Sequence, residues 1–331
     1  MRILAVDDDE IALELLSAAL KSAGYHDVSV AVSGRFALEA IAAASRPFDC
    51  FLLDIQMPGM DGVELCGRIR SLAQYRSSPI LMITAMSDRS FVDEAFAAGA
   101  MDYVNKPFDP LELGVRLRIA DTIVRERRIS NKKIFAATNR EDQPDLVPEF
   151  ALGDAIEITG VPRMVGKLAM ENYLLQLSRG RVFQSSAVAF AIENFEAIFA
   201  RATPTEMSDI LTDVAEAIAR CLKRTSYLMT YNGFGEFVCV TKRSDPILSE
   251  ELESSISWSI EEMHVTYANG APCDVSIVMG HPQTAAFWSS GHPLRLIDHS
   301  LVAVAERRLT ARTTQARSVV DRIARRFSQA S

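Results

Sequence analysis

Four short apolar runs in the first 110 residues each end in a residue that can do chemistry. Ile3-Leu4-Ala5-Val6 leads into Asp7-Asp8-Asp9, and Phe51-Leu52-Leu53 into Asp54. Ile80-Leu81-Met82-Ile83 leads into Thr84, and Tyr103-Val104-Asn105 into Lys106-Pro107. If the runs are strands of one parallel sheet, these groups meet at the edge where open α/β sheets bind their ligands. Acids, a hydroxyl and an ammonium placed together can hold a hard divalent cation and accept a phosphoryl group.

Phosphoryl transfer to a carboxylate is chiefly a problem of charge, because negative charge spreads over three phosphoryl oxygens. Mg²⁺ is the usual remedy, held by one or two carboxylates with waters and phosphate oxygens. Asp8 and Asp54 can bind such an ion directly, Asp7 can hold a metal-bound water, and the Gln56 carbonyl is close enough in the chain to complete the shell. Lys106 can pair with Asp54 and then with a phosphoryl oxygen, to which Thr84 can also donate. Singly, each is explained as well by a cap or a turn; together, and in this order, they point to one site.

The elements that must position them alternate. Helical spacing of Ile11, Leu15, Leu16, Ala19 and Leu20 follows the first run, with Gly24 as its stop. Val28–Val32 reads as a strand, Phe36–Ala44 as a helix, Val63–Leu72 and Ser90–Ala98 as further helices. A last helix runs from Leu111 through Arg128, with Leu111, Val115, Ile119, Thr122 and Ile123 as its stripe. Five strands interleaved with five helices predict a doubly wound parallel α/β domain over residues 1–124. Residues 125–149 are expected to be a helical extension and linker, the linker lying in the polar, proline-bearing segment 139–148.

Residues 150–331 read as a second domain of α+β class. Helices are expected at Met164–Leu177, Met207–Leu222, Leu252–Met263 and across most of 294–326. Strands are expected at Ser186–Ile192, Tyr227–Tyr231, Glu236–Val240 and Asp274–Met279, with Asn232-Gly233-Phe234-Gly235 as a hairpin turn. A mixed or antiparallel sheet follows.

At 331 residues the chain exceeds what one core usually fills. Its formal charge is −8. Residues 125–140 are basic, and so is a helix carrying Arg307, Arg308, Arg312, Arg317, Arg322, Arg325 and Arg326, which reads as a solvated face or a salt-bridged dimer contact; the rest is acidic, so a nucleic-acid partner is not expected. Five scattered cysteines without a C-x-x-C pair argue against a disulfide framework or a zinc site, and for buried thiols in a reducing compartment. The start of the chain does not read as a signal peptide. The longest apolar stretch, 187–200, is broken by Glu193 and Glu196. A cytoplasmic protein without a membrane span is expected.

Residues 1–124 resemble the receiver domain of bacterial two-component response regulators. The resemblance rests on Ile-Leu-Ala-Val-Asp-Asp-Asp (3–9), Leu-Leu-Asp-Ile-Gln-Met-Pro-Gly-Met-Asp-Gly (52–62), Ile-Thr-Ala (83–85) and Asp-Tyr-Val-Asn-Lys-Pro-Phe (102–108). It implies a phospho-aspartate at Asp54 and a Mg²⁺ pocket at Asp7 and Asp8. It further implies a switch using Thr84 and Tyr103, a cis bond before Pro107, and a histidine kinase or phosphotransfer protein as donor.

Residues 150–310 resemble, more distantly, the GGDEF domain of diguanylate cyclases. The pieces are Ile158-Thr159-Gly160-Val161-Pro162, Gly233-Phe234-Gly235-Glu236-Phe237, Val275-Ser276-Ile277 and Asp298-His299-Ser300-Leu301. The resemblance places the metal acids at Ala191 and Gly235, the guanine-reading residues at Phe199 and Ser208, and a phosphate-binding lysine at Glu196. None of these is the residue the chemistry needs, while Glu236 is kept and Glu193 lies near enough to be a displaced ligand. Without both acids two-metal catalysis fails. The expectation is a response regulator whose degenerate cyclase-like domain is not an enzyme and serves protein interaction or dimerisation. The alternatives are a cyclase with an unusual site, or a receptor for GTP or a cyclic dinucleotide.

Overall fold

The computed structural model describes residues 1–85, 90–138, 151–245, 249–285 and 292–310. These form two units, Met1–Glu149 with Pro162–Tyr173, and Phe150–Val161 with Leu174–Ser331.

In the first unit five strands and five helices alternate: β1 (Ile3–Val6), α1 (Glu10–Ser22), β2 (Val28–Ala31), α2 (Gly34–Ala43), β3 (Cys50–Asp54), α3 (Gly62–Ser71), β4 (Ile80–Ala85), α4 (Ser90–Ala97), β5 (Asp102–Lys106) and α5 (Pro110–Thr138). The sheet is parallel, in the order β2-β1-β3-β4-β5. Strands β1 and β3 are buried throughout. That is why they read as unbroken apolar runs rather than alternating ones. Side chains alternate between two cores, Leu4, Val6, Phe51 and Leu53 on one face, Ile3, Ala5, Cys50 and Leu52 on the other. Helix α5 runs ten residues beyond the expected Arg128.

Two helices turn inward a face that only partly overlaps the one their apolar spacing suggested: Leu16, Ala19 and Leu20 of α1 and Ile123 of α5 do meet the core. Helix α1 buries Leu13, Leu16 and Leu20 and leaves Ile11 and Leu15 exposed. Helix α5 buries Leu113, Leu117, Ala120 and Val124, while Leu111, Val115 and Ile119 face solvent. Both carry apolar residues around more than one face, so periodicity alone could not choose.

The second unit contains an antiparallel sheet of order β10-β6-β8-β7, with β9 also paired to β6. Its strands are β6 (Ser185–Ile192), β7 (Tyr227–Gly233), β8 (Glu236–Lys242), β9 (Ile277–Met279) and β10 (Gln283–Thr284). The expected hairpin is present, and the strand expected over Asp274–Met279 is confined to its last three residues. Helix α6 (Lys167–Gln176) begins in the first unit and ends in the second. Two short helices, α7 (Arg179–Phe183) and α8 (Phe195–Phe199), were not expected. Helix α9 (Pro204–Cys221) starts at a Thr203–Glu206 capping box and buries Ile210, Leu211, Val214, Ala217 and Ile218. Helix α10 (Ser249–Met263) and a helix at 295–310 complete the unit. The linker expected at 139–148 and the arginines beyond 310 lie outside the described residues. Cys50, Cys66, Cys239 and Cys273 are buried, as read from their apolar surroundings, and Cys221 is half-buried. Among the described residues no helix is long and apolar enough to cross a membrane.

Candidate functional site

The strand order reverses direction at β1 and β3, which opens a crevice beyond their C-terminal ends. Asp54 is the last residue of β3, and Asp7 and Asp8 follow β1. One carboxylate oxygen from each of the three lies within 4.8 Å of the others. Asp7 and Asp54 are buried, whereas Asp8 is exposed to solvent. Asp9 is set apart from them: its side chain accepts from the Ile11 N–H and caps α1.

Lys106 ends β5 and reaches both buried acids, its Nζ lying 2.6 Å from Asp7 Oδ2 and 2.7 Å from Asp54 Oδ1. The Lys106–Pro107 bond is cis. Thr84, on β4, is buried and donates to the Ala85 carbonyl at 3.2 Å. Tyr103, on β5 and paired in register with Met82, is half-buried with its ring edge-on to Phe96. Gln56 lies in the loop after β3. That loop is closed by Gly62, whose N–H donates to the Ile55 carbonyl at 2.9 Å. A Cβ at Gly62 would lie 2.1 Å from the Asp54 carbonyl oxygen, so only glycine lets α3 start this close to the strand end.

Two buried carboxylates share one ammonium, and a third carboxylate stands at the rim. Burial pushes the Asp54 carboxyl above its ordinary value, with Asp7 and Asp8 adding to the rise and Lys106 opposing it. Burial disfavours the Lys106 charge, but hydrogen bonds to Asp54 and Asp7 outweigh it and hold this ammonium above its ordinary value. The balance is an excess of negative charge lined by hard oxygen donors, a set suited to a divalent cation.

The folded chain holds the Asp54 proton more tightly than the unfolded chain does. Asp54 therefore favours folding below its ordinary value of 3.8, and that contribution is lost as pH rises through the raised folded-state value. Without divalent ions, Asp54→Asn is accordingly expected to be more stable than wild type at pH 7. The gain should shrink to nothing near pH 4, as read by urea unfolding across that range.

The second unit places some of the positions singled out in the sequence around the β6–β8 pair and the turn before β8. Ala191 on β6 pairs with Glu236 on β8. The turn carries positive φ at Gly233, Phe234 and Gly235. A Cβ at Gly235 would lie 2.5 Å from Cγ of the buried Phe195 ring, so an acid there meets both backbone strain and a clash. Phe237 is buried against Tyr231, whose hydroxyl accepts from the Gly235 N–H at 3.2 Å. Glu193 accepts from the Ser276 hydroxyl at 3.3 Å. Glu196 and Ser208 are exposed, and Phe199 packs on Phe195.

One site residue was missed. Arg308, on the 295–310 helix, donates to the Ile192 carbonyl at the end of β6, and its Nη1 lies 4.0 Å from Glu236 Oε1. Both side chains are largely buried. Burial raises the Glu236 carboxyl, with Arg308 and an Asn232 hydrogen bond opposing the rise. Nothing in the spacing of Arg308 marks it as different from the other arginines of that helix. Arg308→Ala is expected to cost the second unit about 1–3 kcal/mol, because Glu236 loses its charged partner. Tryptophan fluorescence during urea unfolding reads this unit, since Trp258 and Trp288 both fall within it.

The model of the response regulator receiver domain family matches residues 3–118. Similar proteins include Response regulator PleD of Caulobacter vibrioides, 42% identical over 117 residues, 35% of this chain and 25% of that one. Transcriptional regulatory protein YvrH of Bacillus subtilis is 38% identical over 116 residues, 35% of this chain and 47% of that one. DNA-binding dual master transcriptional regulator RpaA of Synechocystis is 39% identical over 162 residues, 48% of this chain and 65% of that one. The chain thus spans less than two thirds of the length of each. Among solved structures, chemotaxis protein CheY4 of Vibrio cholerae is 36% identical, covering 36% of this chain and 97% of that one with a TM-score of 0.34. Fold, acid cluster and family match agree: residues 3–118 are a response regulator receiver domain.

Proposed function

We propose that the chain is a response regulator of a phosphorelay, phosphorylated on Asp54 with Mg²⁺, and that its second unit is a catalytically inactive GGDEF-like output. The observation that carries the first part is the Asp7–Asp8–Asp54 cluster bridged by Lys106 in a strand-end crevice. An Asp54 carboxylate oxygen attacks phosphorus, the bond to the donor breaks, and the donor leaves with that electron pair. Asp8, Asp54 and the Gln56 carbonyl would hold Mg²⁺, with Asp7 acting through a water; the ion supplies neutralising charge for the phosphoryl oxygens. Lys106 is placed to exchange its Asp54 contact for a phosphoryl oxygen, and Thr84 to donate to another. The donor is a histidine kinase or a phosphotransfer protein.

Three features support an inactive second unit: Ala191 at an acid position, the steric closure of Gly235 by Phe195, and the Arg308 cation on Ile192 and Glu236. What then remains is a folded module offering surface, and its role is to bind a protein target or a second copy of the chain. Phosphorylation acts by shifting a conformational equilibrium rather than by gating turnover. The test is to incubate the full chain with Mg²⁺ and acetyl phosphate, then with GTP. One phosphoryl group on the peptide holding Asp54, without any dinucleotide product, is expected. Dinucleotide synthesis would overturn the inactive reading.

A further inference from the structure

Pro162–Tyr173 group with the receiver sheet, and several contacts hold their helical part there. The Tyr173 ring lies edge-on to Phe96 of α4, 5.4 Å between centroids. Its hydroxyl donates to Asp93 Oδ1, also on α4, at 3.1 Å. The Asn172 side-chain amide donates to the Met101 carbonyl, just before β5, at 3.2 Å. Leu168, one turn earlier on α6, packs against the core that holds Met101, Leu113 and Leu117. Phe96 is buried, and its other ring neighbour is Tyr103, 6.5 Å away and also edge-on. Tyr103, Phe96 and Tyr173 therefore form a continuous row of rings. The row starts on β5, the strand whose last residue is Lys106.

We infer that Tyr173 and Asn172 make α6 a brace on the α4–β5 side of the receiver, docked or released according to the charge at Asp54. The inference rests on the receiver reading above and adds the element that receives its signal. Edge-to-face rings depend on centroid spacing and tilt. A phosphoryl group at Asp54 draws Lys106 and Thr84 towards it, and an inward turn of Tyr103 then removes the ring that backs Phe96. Phe96 repacks, the Tyr173 contact weakens, and the hydroxyl clasp to Asp93 goes with it. The ring contact and the two side-chain hydrogen bonds lie at the end of this helix nearest Phe96, beside the packing of Leu168, so a repacked Phe96 loosens that end first.

Hydrogen–deuterium exchange on the full chain tests this, with beryllofluoride and Mg²⁺ as the phosphoryl mimic. Amides of residues 168–173 are expected to exchange about tenfold faster with the mimic bound, within the usual range of allosteric coupling. In Tyr173→Ala they exchange fast with or without it. By reciprocity, that variant binds beryllofluoride more tightly by the same factor. Tyr173→Phe keeps the ring and loses only the clasp, so it falls between. Unchanged or slower exchange at 168–173, with protection gained around β3 and β4, would overturn the brace and leave the receiver reading intact. Failure of the mimic to bind would overturn both.

Discussion

Asp54→Asn is expected to abolish phosphoryl incorporation from acetyl phosphate while leaving the receiver folded and, at neutral pH without divalent ions, more stable than wild type. The two outcomes have one cause. Asparagine has nearly the shape of aspartate, so the packing at the end of β3 and the close approach of Gly62 are undisturbed. Its amide is no nucleophile towards phosphorus, so the acceptor at the end of β3 is lost. Removing one of three clustered acids, two of which share a single ammonium, also lowers repulsion inside a buried site. Mass spectrometry of the treated chain reads the first outcome and urea unfolding the second. Phosphoryl transfer at wild-type level in the variant would move the acceptor away from Asp54. A variant that did not incorporate phosphate but was also destabilised would mean that Asp54 is a structural partner of Lys106 rather than a poised nucleophile.

The receiver was legible because its strands are buried on both faces and end in charged groups. Such runs cannot be mistaken for amphipathic helices, and the residue after each run falls at the same sheet edge whatever the helices do. Which face of a helix turns inward was less legible. Leu111, Val115 and Ile119 keep perfect helical spacing on α5, yet Leu113, Leu117 and Ala120 form the core face, because the strand set and not the period decides. In the second unit, losses could be read from single positions such as Ala191 and Gly235. The replacement could not: Arg308 lies more than 70 residues from Glu236, and only the fold of the 295–310 helix brings its guanidinium to the end of β6. Position 235 taught the same lesson. Sequence shows a glycine where an acid was expected, while structure shows Phe195 filling the space an acid side chain needs.

Charge balance in the receiver site leads to the largest stability effect. Lys106→Met removes the ammonium that touches Asp7 and Asp54 and leaves two buried carboxylates facing each other. Breaking a buried ion pair from one side costs about 3–5 kcal/mol, because the remaining charge keeps its desolvation penalty without compensation. A loss of that size is expected for the receiver at pH 7 without divalent ions, read by hydrogen exchange of the buried β1 and β3 amides. Methionine preserves most of the volume of the lysine stem, so the loss reports charge rather than a cavity. Two treatments should restore stability for the same reason. Lowering the pH protonates one of the carboxylates. Saturating Mg²⁺ supplies a cation to the same oxygens, and an ion at a hundred times its dissociation constant returns about 2.7 kcal/mol by mass action. Wild type should gain less from Mg²⁺, since Lys106 already neutralises part of the site. If the variant lost stability and Mg²⁺ restored none of it, the acid cluster would not be a metal site, and the assignment of Asp8, Asp54 and Asp7 as its ligands would fall with it.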